Sequence, residues 1–126
     1  MFALDTNIAI DMLRRHPAIL ARVIVSNPYY LPAPVLGELV HGAFKSQQSA
    51  AQMTMIATLI QRFPVVAVDE HAARRYGQVK YILEAQGQRI PENDIWIAAV
   101  CLRWGITLVT RDQHFTHVAG LRLEIW

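Results

Sequence analysis

The feature that most constrains this chain is a recurring unit: a short apolar run followed by a helical stretch. Phe2 to Leu4 is the first run, and it stops at Asp5-Thr6-Asn7. Side-chain oxygens of that cluster suit the unpaired N–H groups at a helix start, so a helix is predicted from there to about Arg15. His16-Pro17 ends or restarts it, because proline cannot continue a helical hydrogen-bond ladder. Tyr29 to Leu31 is the second run. A helix follows from Pro34 to about Phe44, with an apolar stripe of Val35, Leu36, Leu39, Val40 and Ala43 at helical spacing. Ser46 to Arg62 is predicted as a further helix and Val65 to Val68 as a third strand. Asp69 caps the next helix, whose inner face carries Ala72, Tyr76, Val79 and Leu83 and whose stop is Gly87. Asn93 and Asp94 open a helix to Trp104 that is apolar nearly all round, so burial on more than one side is expected. Gly105 ends it, Ile106 to Val109 forms a fourth strand, and Leu121 to Ile125 a fifth. Strands alternating with helices predict an α/β fold with a mainly parallel central sheet of about five strands, flanked by helices, over residues 1–126 as one domain.

Composition supports a packed domain. Of 126 residues, 53% are hydrophobic, which excludes a disordered chain. MFALD at the start reads as a strand, with no basic segment leading into an apolar one, so no signal peptide is expected. The most apolar stretch, Ile95 to Val109, is broken by Arg103 and Gly105 and is too short to span a bilayer. Cys101 is the only cysteine, which excludes an internal disulfide framework and a cysteine-based zinc site, and a cytoplasmic setting is expected. Net charge is only +2, yet ten of the twelve basic residues are arginines, the side chain suited to bidentate phosphate contacts.

The acids carry more information. Asp5 follows the first strand and Asp112 follows the fourth. Functional groups of open parallel sheets gather at the carboxyl ends of strands, so both project on one edge. Asp94 begins the helix that feeds the fourth strand, and Glu38 lies in the first turns of the helix after the second. Each has an ordinary alternative role. Asp5 and Asp94 suit the positive end of a helix dipole, Glu38 lies off its apolar stripe and can face water, and Asp112 can stabilise a turn. Taken together, four carboxylates on one rim repel one another, and a hard cation with oxygen ligands relieves that repulsion. No HExxH-like spacing is present, which favours Mg²⁺ or Mn²⁺ over Zn²⁺.

The same residues carry a resemblance. Leu4-Asp5-Thr6-Asn7, Gly37-Glu38-Leu39, Asn93-Asp94 with Ile97-Ala98-Ala99, and Val109-Thr110-Arg111-Asp112-Gln113-His114-Phe115 resemble the ordered motifs of PIN-domain nucleases. The likeness covers essentially the whole chain and is nearest to the toxins of VapBC-type toxin–antitoxin pairs. The resemblance implies a single PIN-like domain and a divalent-metal-dependent endoribonuclease. It implies metal-binding roles for Asp5, Glu38, Asp94 and Asp112, and a supporting role for Thr6, whose hydroxyl orients a ligand or the scissile phosphate. Mg²⁺, with Mn²⁺ as the alternative, would activate a water for in-line attack on an RNA phosphate. Also implied are a homodimer and a cognate antitoxin. The antitoxin's carboxyl-terminal segment is expected along the helices from Pro34 to Arg62, packing on Met53, Ile56 and Ile60 and aiming a cation at Asp5, Glu38 and Asp94.

Other residues are weighed and set aside. Arg89 and Arg111 adjoin the acids and either hold RNA phosphates or form surface contacts and salt bridges. Cys101 reads as core packing. His41 and His114 lie near acids, but a catalytic histidine needs a partnered geometry that sequence does not supply. Trp96, Trp104 and Trp126 can stack on RNA bases, though core or interface packing is the simpler role. Competing classes fit less well. A haloacid-dehalogenase-like phosphotransferase wants Asp-x-Asp after the first strand, whereas Asn7 stands two residues after Asp5. A phosphoacceptor receiver wants an acidic pair there, and Leu4 precedes Asp5. The remaining alternative is a PIN-like RNA-binding or regulatory module without a toxin role.

Overall fold

A computed structural model describes residues 1–126. Five strands form one sheet: β1 (Phe2–Leu4), β2 (Tyr29–Pro32), β3 (Val65–Val66), β4 (Thr107–Thr110) and β5 (Leu123–Ile125). Their order is β3-β2-β1-β4-β5, and every neighbouring pair is parallel. Parallel strands need long crossovers, and helices supply them: α1 (Thr6–Leu13), α2 (Pro17–Leu20), α3 (Ala33–Lys45), α4 (Ser49–Arg62), α5 (Glu70–Ala85) and α6 (Glu92–Trp104). A 3₁₀ turn, Gln113–His117, links β4 to β5.

The core lies in the central strands and α6. Ala3, Leu4, Leu31, Leu108 and Val109 are buried, as befits a parallel sheet covered on both faces. In α6, Ile95, Ile97, Ala98, Ala99, Val100 and Cys101 are all buried, so its apolar circumference has the predicted cause. Gly105 ends α6 in the left-handed region at φ 64°, a conformation that costs glycine no Cβ clash.

The structure revises several boundaries. α4 starts at Ser49, because Ser46 closes α3 and its hydroxyl accepts the Gln48 N–H at 3.0 Å instead of opening a helix. α6 starts at Glu92 behind Pro91, so Asp94 lies inside the first turn. β3 stops at Val66 and β5 begins at Leu123; both are edge strands, paired on one side only. Ile56 is buried in the core and is not available to a docking segment, whereas Met53 and Met55 remain exposed.

All three tryptophans make contacts within the chain. Trp96 stacks on Tyr76 of α5 with ring centroids 3.8 Å apart. Trp104 donates its indole N–H to the Ala67 carbonyl at 3.3 Å, and Trp126 meets Tyr29 edge-on. No helix is long and apolar enough to cross a membrane.

Candidate active site

The strand order reverses beside β1: β1 leads to β2 on one side, while β3 crosses back to β4 on the other. Chain segments leaving β1 and β4 therefore diverge and open a crevice at their carboxyl ends, the usual ligand position in such sheets. Asp5 and Asp112 flank that crevice. The first turn of α6 brings Asp94 to it, and the second turn of α3 brings Glu38.

Asp5 is 5% exposed and held from two directions. Its Oδ1 accepts the Thr6 N–H at 2.8 Å as the cap of α1, and its Oδ2 accepts the Thr110 hydroxyl at 2.7 Å. Burial pushes the Asp5 carboxyl up, the two hydrogen bonds pull it back, and the charges of Glu38 and Asp112 add to the rise. The Thr6 hydroxyl donates to Glu38 Oε2, tying the start of α1 to α3. Thr110 also accepts the Asp112 N–H at 2.9 Å, so one buried hydroxyl positions both aspartates.

Asp94 is the most perturbed acid of the crevice. Its pKa rises from the ordinary 3.8 to about 6, through burial first and then the charges of Asp5, Asp112 and Glu38, with His114 opposing. All four sequence-identified acids thus share one electrostatic neighbourhood, and Thr6 lies among them. His114 is an addition. Its Nδ1 lies 3.1 Å from Asp112 Oδ1, and ligand atoms of Asp94, Asp112 and His114 lie within 4.8 Å of one another. The sequence signal is Asp112-Gln113-His114: Asp112 caps the 3₁₀ helix by accepting the His114 N–H at 2.9 Å, which sets the imidazole against the same carboxylate.

Three other residues weighed from the sequence have clear surroundings. Arg111 pairs with Asp11 of α1 at 2.6 Å, the salt-bridge alternative for that residue. Cys101 is buried and its thiol is pushed up to about 12 by burial and by Asp5, which leaves no thiolate nucleophile. Arg89 is exposed and makes no ion pair.

The donor set fits a hard divalent cation. It is oxygen-rich and supplied from four chain segments, and in Asp5 and Asp94 burial and then neighbouring carboxylates disfavour the charged form, a cost that a cation would offset. A buried carboxyl held by two hydrogen bonds with a second acid rising to about 6 beside it is a costly arrangement for a purely structural role.

Comparison with known proteins agrees with this geometry. The PIN domain family model matches residues 2–121. Ribonuclease VapC1 of Haemophilus influenzae (strain R2866) is 29% identical over all of this chain and 98% of its own length. The tRNA(fMet)-specific endonuclease VapC of Shigella flexneri is 33% identical over 99% of this chain and 97% of its own. Among solved structures, VapBC2 from Rickettsia felis bound to a promoter DNA fragment superposes with a TM-score of 0.91, at 27% identity, over 99% of this chain and 98% of that one. With an acidic crevice at the sheet's reversal point and a family match over nearly its full length, the chain belongs to the PIN domain family.

Proposed function

We propose that this chain is a divalent-metal-dependent endoribonuclease and the toxin of a toxin–antitoxin pair, with residues 1–126 acting as one nuclease domain. The observation that carries the reading is the convergence of Asp5, Glu38, Asp94 and Asp112 in one electrostatic cluster at the carboxyl edge of β1 and β4. Relatives over the full chain are ribonucleases, and solved neighbours are VapBC complexes, which supports RNA as substrate and an antitoxin as partner. A homodimer and a cytoplasmic location belong to the same reading.

Asp5, Asp94 and Asp112 hold Mg²⁺, or Mn²⁺ in its place, with Glu38 on the α3 side. Such a cation supplies Lewis-acid stabilisation of phosphoryl oxygens and acidifies a water for attack on phosphorus. Thr110 and the Thr6 N–H fix the Asp5 carboxylate, so its oxygens keep their direction without reorganisation. Thr6 holds Glu38 in the same way. His114 steadies Asp112 and adds a nitrogen at the rim.

The test is cleavage of a single-stranded RNA by the purified chain with and without chelator, beside Asp94→Asn and Asp112→Asn. Cleavage should need the divalent cation and fall at least a hundredfold in each variant. Cleavage that survives both chelation and substitution would overturn the reading.

A further inference from the structure

A second polar hollow, of about 410 Å³, opens beside the acidic crevice and shares Glu38 with it. Pro34, Gly37, Glu38, His41 and Asn93 line it. It is shallow and open to solvent, a shape that suits one face or edge of a planar group. None of these residues apart from Glu38 has a role in the chemistry proposed above.

Gly37 is the informative residue. It sits inside α3, where glycine is a poorer helix former than alanine. A Cβ added there would meet no atom within 4 Å, so the chain's own packing does not demand glycine. The backbone is also not in the left-handed region. What the missing side chain leaves is room in the hollow.

The polar groups define what enters. No lysine or arginine lines the hollow and Glu38 carries negative charge, so a phosphate is repelled. A neutral nucleobase is not. Glu38 Oε2 is occupied by the Thr6 hydroxyl, which leaves on Oε1, beside the lone pair turned to the cation, one lone pair as an acceptor. The Asn93 Nδ2 points to the Pro34 carbonyl at 3.5 Å, which leaves its Oδ1 as a second acceptor. Carboxylate and amide oxygens accept from exocyclic amino groups of bases. His41 is exposed on α3 one turn beyond Glu38 and offers a ring for stacking, the means by which proteins hold unpaired RNA bases.

We infer that this hollow is a base-recognition subsite, taking the nucleobase next to the scissile phosphate and preferring bases that carry an exocyclic amino group over uracil. The inference rests on the nuclease reading for its substrate, with Gly37, His41 and Asn93 as specificity-determining residues.

Two measurements separate the inference from the reading on which it rests. In the first, the ¹⁵N-labelled wild-type chain is titrated with the four neutral ribonucleosides. Amide signals of Gly37, His41 and Asn93 should move with cytidine, adenosine and guanosine at least fivefold more readily than with uridine. In the second, wild type, Gly37→Leu, His41→Ala and Asn93→Ala cleave a pool of single-stranded RNAs randomised around the cut. Wild type should show an amino-base preference at one position flanking the cut. Asn93→Ala should reduce that preference at least fivefold, and Gly37→Leu should abolish it, with helical content and Mn²⁺-induced stabilisation kept. Selective nucleoside shifts from a chain that cuts no RNA would sink the nuclease reading and leave the subsite standing. Cleavage with an unchanged preference in all three variants, or nucleoside titrations without selectivity, would overturn the subsite and leave the nuclease.

Discussion

Thr110 donates its hydroxyl to Asp5 at 2.7 Å, joining the end of β4 to the residue that follows β1. Because the same oxygen accepts the Asp112 N–H, it sets the spacing of two acids. Thr110→Val keeps the shape and removes the hydroxyl. Hydrogen bonds to charged groups contribute about 1.5–3 kcal/mol, so denaturant unfolding should show a loss of that order. RNA cleavage should fall more than tenfold, because Asp5 and Asp112 lose their common anchor. Thr110→Ser keeps the hydroxyl and should retain most activity. Equal activity in the valine and serine variants would mean that packing, not the hydroxyl, is what matters at this position.

Asp94 predicts a pH signature. Its folded-state pKa is raised from 3.8 to about 6, so the folded chain holds this proton more tightly than the unfolded chain does. Its contribution to metal-free stability is therefore most favourable below about pH 4, declines as pH rises towards 6, and stays low above that. Asp94→Asn removes the decline. The melting temperature of the metal-free variant, relative to the parent, should rise between pH 4 and 6 and level off beyond. Adding Mg²⁺ at pH 7 should stabilise the parent more than the variant. Thermal melts across this range decide it, and a pH-independent difference would place the perturbed proton elsewhere.

The acidic crevice was legible in the sequence because its logic is topological. Asp5 and Asp112 follow strands that prove to be neighbours, and Asp94 and Glu38 lie in the first two turns of helices that meet the same edge. Strand–helix alternation likewise foretold five strands in one parallel sheet. What the sequence concealed depends on distances between remote segments. The Arg111–Asp11 pair joins the two ends of the chain, and the Thr110 anchor exists only once β1 and β4 lie side by side. Edge-strand limits were misplaced because β-branched residues such as Val68 favour extended backbone whether or not a partner strand is available. Ser46 was misplaced for a related reason: a serine between two helices suits either a cap or a turn, and tertiary context chooses.

The products of cleavage follow from the nucleophile. The crevice holds no thiol, and Cys101 is buried with its thiol pushed up to about 12. In the proposed metal-assisted reaction water is the attacking group, and its in-line attack is expected to leave a 3′-hydroxyl and a 5′-phosphate. An oligonucleotide with a single 2′-deoxy position at the cut should still be cleaved, since the 2′-hydroxyl takes no part as nucleophile. Mass spectrometry of the fragments checks both statements. A 2′,3′-cyclic phosphate would show that the neighbouring hydroxyl attacks and that the acids serve another purpose.

Neutralisation by the antitoxin is the last expectation, and the structure changes where it should be sought. Ile56 is core, but Met12, Leu20, Met55, Leu59 and Phe63 border a hollow of about 440 Å³ that α1, α2 and α4 form together. Its rim carries Arg15 and Arg62, neither in an ion pair, which suits a segment with apolar anchors and acidic flanks. Interface energy concentrates in a few buried anchors, so one change at the centre of this surface should be felt strongly. Met55 is 37% exposed, and Met55→Lys costs the free chain little, because a lysine ammonium there reaches solvent. The variant should cleave RNA as the parent does and bind the antitoxin at least tenfold more weakly. In cells, the parent chain should arrest growth alone and be tolerated with its antitoxin, whereas Met55→Lys should arrest growth in both cases. If the antitoxin silences Met55→Lys as fully as the parent and binds it equally well, its segment docks on another face and reaches Asp5, Glu38 and Asp94 by another path.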